Sequence, residues 1–187
     1  MRLEGRHLDI SKRMGYALIA VSLIAVIAIC FLNRTKQLYG NDQESIQKVI
    51  HSIKGYEDAS VEILDIKDIG DKRIVGFLSN NDPAYIQFSK NQTGNYEWQN
   101  IEKHAVQPLT AFLFHNTDVE VPNAKFMIVT NDENKIAKLE LEVNKQVLIQ
   151  TFSLHRKSVT WIDLPSGTRF AFKYKYYDQN DKLLRAD

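Results

Sequence analysis

The sequence predicts an N-terminal transmembrane helix followed by an outer region of α+β structure that becomes mainly β toward the C-terminus. Three observations support this prediction. Residues 14–32 contain no charged side chain, residues 42–55 have the apolar periodicity of one helix, and the rest of the chain alternates apolar strands with turn-forming residues. This order favours a helix packed on an antiparallel meander, followed by an immunoglobulin-like β-sandwich or a second antiparallel sheet.

Residues 14–32 are long enough to cross a lipid bilayer as a helix. Nineteen helical residues span about 28 Å, close to the thickness of the hydrocarbon layer. Four basic residues precede the stretch and two follow it closely, so we expect residues 1–13 to be a cytoplasmic tail and the C-terminal region to be extracytoplasmic. A cleaved signal peptide would need a shorter apolar core. A lipoprotein site at Cys30 would need a small residue where Ile29 stands.

The composition of the outer region excludes several classes of function. Cys30 is the single cysteine and lies in the apolar stretch, so no outer thiol can form a disulfide, a zinc–thiolate site or a nucleophile. Residues 1–13 hold four basic and two acidic side chains, which leaves 20 basic and 21 acidic side chains elsewhere. This balance lacks the positive excess that nucleic-acid binding needs. The sequence also lacks the usual nucleotide-binding and hydrolase motifs, so we expect no cofactor.

Residues 33–41 form a short polar linker, and a helix is predicted after it. Four apolar residues recur at the i, i+3, i+4, i+7 spacing that places them on one face of a helix. Asn41 or Asp42 can cap its start, and Gly55 can end it in a left-handed conformation. A helix that is apolar on one side packs on a sheet. The four apolar residues are Ile46, Val49, Ile50 and Ile53.

Short strands separated by turn residues account for the rest of the chain. A weakly patterned stretch from 103 to 118 divides them, and we read it as a connection or an edge element. The division predicts a small α+β domain over residues 42–104 and an all-β domain over residues 105–187. The predicted strands are 60–69, 73–79, 84–90, 95–102, 125–131, 136–143, 146–154, 158–164 and 169–178.

The titratable residues show no spacing typical of a catalytic or metal site. The four outer histidines stand apart, and the acidic run from Asp65 to Asp71 lacks the register and the closing glutamate of a calcium loop. We expect ordinary surface roles for these side chains and no bound metal. The alternative is a membrane-tethered hydrolase whose carboxylates and histidines come together across strands.

Residues 169–177 are the strongest candidate for a partner-binding strand. One side of this strand is aromatic and is expected to face the core, whereas the other side combines cations with Tyr177. If the basic pair Arg156 and Lys157, at the end of the preceding strand, lies nearby, this side would suit an acidic protein surface or an anionic cell-wall polymer. The alternative is a lysine-protected edge strand that binds nothing. The candidate residues are Arg156, Lys157, Arg169, Lys173, Lys175 and Tyr177.

A basic tail, one apolar span and a cysteine-free outer region with Asn, Asp and Lys in its turns make up the layout of the chain. This layout resembles that of small uncharacterised single-pass membrane-anchored proteins of Gram-positive bacteria. The resemblance implies a location at the cell membrane and transfers no site residue. We therefore expect a non-enzymatic extracytoplasmic binding or accessory module that acts through an envelope protein or the cell wall.

Overall fold

A computed structural model describes residues 16, 21–24, 38–116, 123–167 and 169–186. The predicted membrane-spanning segment lies almost entirely outside these residues. Among the residues that are described, no helix is long and apolar enough to cross a membrane. Residues 38–187 form one compact unit.

The described fold is mainly antiparallel β structure arranged in three sheets. Sheet A has the strand order β1-β2-β3-β4, sheet B the order β5-β6-β9, and sheet C the order β11-β10-β7-β8. A single helix, α1, precedes them in the compact unit. The elements are α1 (Gln43–His51), β1 (Val61–Ile69), β2 (Lys72–Ser79), β3 (Asp82–Lys90), β4 (Tyr96–Lys103), β5 (Leu109–Asn116), β6 (Asn123–Thr130), β7 (Lys138–Val143), β8 (Gln146–Thr151), β9 (Ser158–Asp163), β10 (Phe172–Tyr177) and β11 (Leu183–Ala186).

Helix α1 is held at its start by a capping box and along one face by sheet A. The Asp42 carboxylate accepts a hydrogen bond of 2.8 Å from the Ser45 amide, and the Ser45 hydroxyl accepts one of 2.9 Å from the Asp42 amide. Ile46, Val49 and Ile50 are fully buried against the aromatic and aliphatic side chains of β2 and β3, whereas Ile53, the fourth residue of the predicted stripe, lies beyond the helix and is partly buried. Gly55 follows the helix with a φ of 91°, which favours glycine. The predicted helix is therefore present, although it ends at His51 and is shorter than expected.

The two central strands of sheet A, β2 and β3, are largely buried on both faces, whereas the alternation in β3 predicted one wet face. Val75, Phe77 and their neighbours on one side contact α1. Ile74 and Leu78, on the other side, pack on sheet B, and Tyr85 beside them is only 8% exposed. The alternation in β3 predicted that Tyr85 would face water. It is covered instead because sheet B supplies a second apolar layer.

Sheets B and C share a second core on the far side of sheet B. Phe126 and Ile128 of β6 meet Leu139, Leu141 and other apolar side chains of sheet C there. The layers are therefore α1, sheet A, sheet B and sheet C, in that order. The connection from β4 to β5 falls at the boundary expected near residue 104. The division into two outer domains stays a prediction, because sheets A and B have a common apolar core.

Two strands occur where the sequence pattern did not predict them. β5 lies in the stretch that we read as a connection or an edge element, and it forms one edge of sheet B. Its apolar side chains contact both neighbouring sheets, so it lacks the period-two alternation that reveals a half-buried strand. β11 is short, its residues are all exposed, and it shows no buried face, so its pairing with β10 is what identifies it as a strand.

Arg73 ties the end of the predicted linker to sheet A. Its guanidinium donates to both carboxylate oxygens of Asp68, at 2.7 and 2.9 Å, and to the carbonyls of Gly40 and Asn41 at 3.0 and 2.7 Å. The Tyr96 hydroxyl donates to the same carboxylate at 3.1 Å. Hydrogen bonds from Arg73 and Tyr96 hold the pKa of Asp68 below its ordinary value.

We predict that this cluster makes stability depend on pH in the acid range. Because the pKa of Asp68 is lower in the folded chain, its contribution is complete above the unfolded pKa and disappears as pH falls through the folded value. Asp68→Asn should lower the free energy of unfolding by about 1 kcal/mol near neutral pH, a modest effect because the carboxylate is 44% exposed. Denaturant titrations of both proteins between pH 2 and pH 7 measure the difference, which should shrink toward the acid end. A constant difference would contradict the assignment.

Candidate partner-binding face

The candidate strand β10 lies inside sheet C, between β7 and β11. Its aromatic side faces the core shared with sheet B, with Tyr176 buried, which is the orientation expected from the alternation. The opposite side belongs to what we call the outer face of sheet C. β10 is therefore not the edge strand that the alternative interpretation assumed. The outer face consists of Lys138, Glu140 and Glu142 of β7, Val147 and Ile149 of β8, and Lys173, Lys175 and Tyr177 of β10.

The two β10 lysines of the outer face are paired with glutamates on β7, and Lys138 of β7 is paired with Asp181. Lys173 lies opposite Glu142 with an N–O distance of 2.9 Å, and Lys175 lies opposite Glu140 at 2.7 Å. The Tyr177 hydroxyl donates to Glu140 at 3.2 Å. The Lys175 ammonium holds the pKa of Glu140 below its usual range, and Glu140 raises the pKa of Lys175. The face thus carries a neutral ladder of ion pairs instead of a free cationic patch.

The other candidate residues lie away from this ladder. Lys157 precedes β9 and pairs with Glu62 of β1 at 2.7 Å, so it bridges toward sheet A. The Glu62 carboxylate raises the pKa of Lys157. The Arg156 carbonyl accepts a hydrogen bond of 2.8 Å from Thr130, and the Arg169 carbonyl accepts one of 2.9 Å from the Asn144 amide. The structure therefore brings Lys173, Lys175 and Tyr177 together and does not add the basic pair to them.

The sequence predicted a strand over residues 146–154, which contains β8, but it did not show that β8 forms an edge of sheet C or mark it as a candidate binding site. Val147 and Ile149 lie on the outer face of the sheet, where they are 53% and 67% exposed. No residue of β8 is charged, and its register with β7 is continuous, without a bulge. Exposed strand edges in monomeric proteins are usually protected by charges, proline or bulges. β8 has none of these protections, which is the feature expected of an edge that pairs with another chain.

Other sheet edges in the described residues are protected. β5 also lacks charge, but Phe112 and Phe114 are buried against sheet A, and its exposed positions are Leu113, at 36%, and the polar His115. The remaining edges carry charged side chains, which discourage pairing with another strand. These side chains are Glu62, Asp65, Lys67 and Asp68 on β1, Glu97, Glu102 and Lys103 on β4, Asp163 on β9 and Arg185 on β11.

We predict that reversing the charge of both β10 lysines destabilises sheet C without unfolding it. Lys173→Glu with Lys175→Glu places glutamate opposite glutamate on two adjacent strands, and like charges in that position repel. The melting temperature should fall by a few degrees at low salt, and the loss should shrink at high salt. Adding Glu140→Lys and Glu142→Lys should restore it, because the ion pairs are then reversed. If the fourfold variant does not regain the original melting temperature, the ion pairs between β7 and β10 do not form.

Several acidic and histidine side chains of the described residues form local contacts, and Glu62 and Asp132 both approach Lys157, at 2.7 and 3.8 Å. Asp65 accepts a hydrogen bond of 2.8 Å from the Trp161 indole, and His104 contacts Glu102 at 2.7 Å. Within the described ranges, no group of three or more His, Cys, Asp or Glu side chains could hold a metal ion. Hydrogen bonds lower the pKa of Asp42, Glu57, Asp68 and Glu140. A general acid needs the opposite shift.

A small cavity lies between sheets A and B. Its volume is about 110 Å³, and its lining combines apolar side chains with Lys72, His115 and Lys125. Lys125 already forms an ion pair with Asp163 on β9. The lining includes no carboxylate, so this cavity does not supply the paired acids that the hydrolase alternative requires.

Comparison of the chain with protein-family models, with curated proteins and with solved structures finds no match. No residue role is therefore transferred from a relative.

Proposed function

We propose that this chain is a non-enzymatic, membrane-tethered extracytoplasmic module that binds a protein partner at the β8 edge of sheet C. The observation that supports this proposal is the exposed pair Val147 and Ile149 on an uncharged edge strand. An extended segment that pairs with β8 would add a strand to sheet C. The partner is an envelope protein, because the tether holds the module at the membrane.

The chemistry of strand addition fits both sides of β8. The backbone groups of β8 that point away from β7 can form main-chain hydrogen bonds with an added strand, which supply affinity for any extended segment. Val147 and Ile149 would pack against alternate apolar side chains of that segment and select for them. The ladder of ion pairs formed by Glu140, Glu142, Lys173 and Lys175 gives this apolar pair a polar border on one side, as in typical protein interfaces.

An anionic cell-wall polymer, the other partner considered from the sequence, fits this face less well. Lys173 and Lys175 are each within 3 Å of a glutamate oxygen. A polyanion would have to displace these carboxylates or bind beside them. The third lysine of the face, Lys138, is paired with Asp181, so the face has no excess of positive charge once this partner is counted. Charge pairing therefore favours a protein partner over a polymer.

The all-β part of the fold is proposed to be immunoglobulin-like. Sheet B has the order β5-β6-β9 and packs on sheet C, whose order is β11-β10-β7-β8. Seven antiparallel strands in two packed sheets are typical of this class. In the strand lettering of immunoglobulin domains, with β5 as strand A, sheet B has the order A-B-E and sheet C the order G-F-C-C′. In this scheme β7 is strand C, and β8 is the C′ strand beside it.

Site-specific photo-cross-linking in intact cells tests the binding edge. A photoreactive amino acid at Ile149 should yield a covalent adduct with a protein of the membrane fraction, identified by mass spectrometry. Ile66 is the matched control, since it is an apolar residue on the charged edge strand β1 and is 37% exposed. No adduct at position 149, or equal adducts at both positions, would contradict the proposal.

The tether is tested separately. Because the basic residues concentrate before residue 14, a reporter enzyme fused after Asp187 should be active outside the cell and inactive in the cytoplasm. Cytoplasmic activity would reverse the orientation and remove the proposed location of the module.

A further inference from the structure

The sequence of β8 reads almost the same in both directions. Leu148 lies at its centre, Val147 and Ile149 flank it, and Gln146 and Gln150 lie outside them. In an antiparallel pair of two identical strands, a two-fold axis through the central residue places each residue opposite its mirror position. Apolar side chains would then lie opposite apolar ones, and amides would lie opposite amides.

We propose that the partner of the β8 edge is a second copy of this chain. The proposal rests on the proposed function, because it names the occupant of the same edge. Two β8 strands would pair antiparallel about an axis through Leu148, and two copies of sheet C would become one continuous sheet of eight strands. Val147 would lie opposite Ile149 of the partner subunit, and Ile149 opposite Val147 of the partner subunit.

Charge complementarity supports a second copy as the occupant. β8 itself is uncharged, so the two-fold pairing places no like charges across the seam. The charges next to it on β7, at Glu140 and Glu142, are already neutralised by lysines of β10. The outer face of each copy is thus electrically balanced beside the seam, and two copies can approach without net repulsion.

Pairing of two β8 strands would also cover the exposed apolar side chains of each copy. Val147 and Ile149 are 53% and 67% exposed in the single chain. Pairing would bring two such residues from each copy together on the outer face, where the four side chains cover one another. The edge amides and carbonyls of both strands would be satisfied in the same step. One interface therefore covers both features that leave β8 unprotected.

Mixed disulfide formation tests both the occupant and the register. The experiment uses the full chain with Cys30→Ser in detergent micelles, carrying Val147→Cys in one preparation and Ile149→Cys in the other. Directly opposite residues have Cβ atoms about 5 Å apart, whereas diagonal ones are about 7 to 8 Å apart, beyond the reach of a disulfide. After mild oxidation, the mixture should contain at least five times more disulfide dimer than either variant alone. Both positions are exposed, so neither cysteine should disturb folding.

The outcomes separate this inference from the proposed function. Equal dimer formation in the mixture and in each variant alone would overturn the register, and no dimer in any preparation would overturn the second copy as the occupant. In that second case, a photo-cross-link from Ile149 to a different protein would leave the proposed function standing. Loss of both the disulfide and the photo-cross-link would overturn both.

Discussion

Replacing Ile50 by aspartate is expected to unfold residues 38–187 or to leave them marginally stable. Ile50 is fully buried in the cluster that contains Phe77 and Phe88. A carboxylate there would lose its hydration without gaining a partner, which costs about 4 kcal/mol or more. Circular dichroism with thermal and denaturant unfolding measures the loss.

Gln43→Asp is the matched control for this prediction. It introduces the same carboxylate on the same helix, but at an exposed position in the first turn. A negative charge there interacts favourably with the helix dipole, so stability should change by less than about 0.5 kcal/mol. Similar stability of the Ile50→Asp and Gln43→Asp proteins would show that α1 does not pack on sheet A.

Replacing Gly76 by leucine is expected to separate sheets A and B. A Cβ atom at this position would lie 2.7 Å from a methyl carbon of Val159 on β9 and 3.2 Å from the Met127 sulfur on β6. A full leucine side chain has no space between the two sheets, and overpacking of this kind costs about 3 kcal/mol. The melting temperature should fall by about 10 °C for a chain of this length.

A double-mutant cycle provides the control for Gly76. Gly76→Ala introduces only the crowding Cβ atom, and Val159→Ala removes the methyl carbon that it would meet. The two substitutions together should destabilise the fold by at least about 1 kcal/mol less than the sum of the single changes. Additive effects would show that β2 and β9 are not in contact. They would contradict the assignment of one apolar core to sheets A and B.

Local sequence patterns predicted the elements whose stabilising contacts lie close by in the chain. The capping box at Asp42 and the apolar stripe of α1 depend on residues a few positions apart. The strict alternation from Leu139 to Val143 follows from one buried and one wet face of β7. Asparagine in turns, such as Asn80 and Asn81 with positive φ, separates the strands. For these elements, the sequence is sufficient.

The features that the sequence pattern did not predict depend on contacts between segments that are distant in the chain. Tyr85 was predicted to face water and is buried because another sheet covers it. β5 was read as a connection or an edge element because its apolar residues serve two cores at once and show no period. The pairing of Lys173 with Glu142 depends on the register between two strands that are 31 residues apart in sequence. None of these facts has a local signal.

The candidate site illustrates the same distinction. The two faces of β10 followed from alternation, so the sequence located Lys173, Lys175 and Tyr177 on one side. It did not show that their charges are neutralised. The β8 edge became visible only when the strand order placed β7 on one side of it and no described strand on the other. One signal was available in the sequence, because β8 is a strand without a single charged residue.

Hydrogen exchange of the β8 backbone tests the central claim most directly. If β8 pairs with an added strand, alternate amides between Gln146 and Thr151 become hydrogen bonded on the side away from β7, and they exchange slowly. In membranes that contain the full chain, these amides should exchange at least tenfold more slowly than in the Ile149→Lys variant, whose charge blocks the edge. The amides of β1, an edge with its own charges, should exchange alike in both proteins. Equal and fast exchange of β8 in the two proteins would show that this edge stays open and that the chain does not bind a partner there.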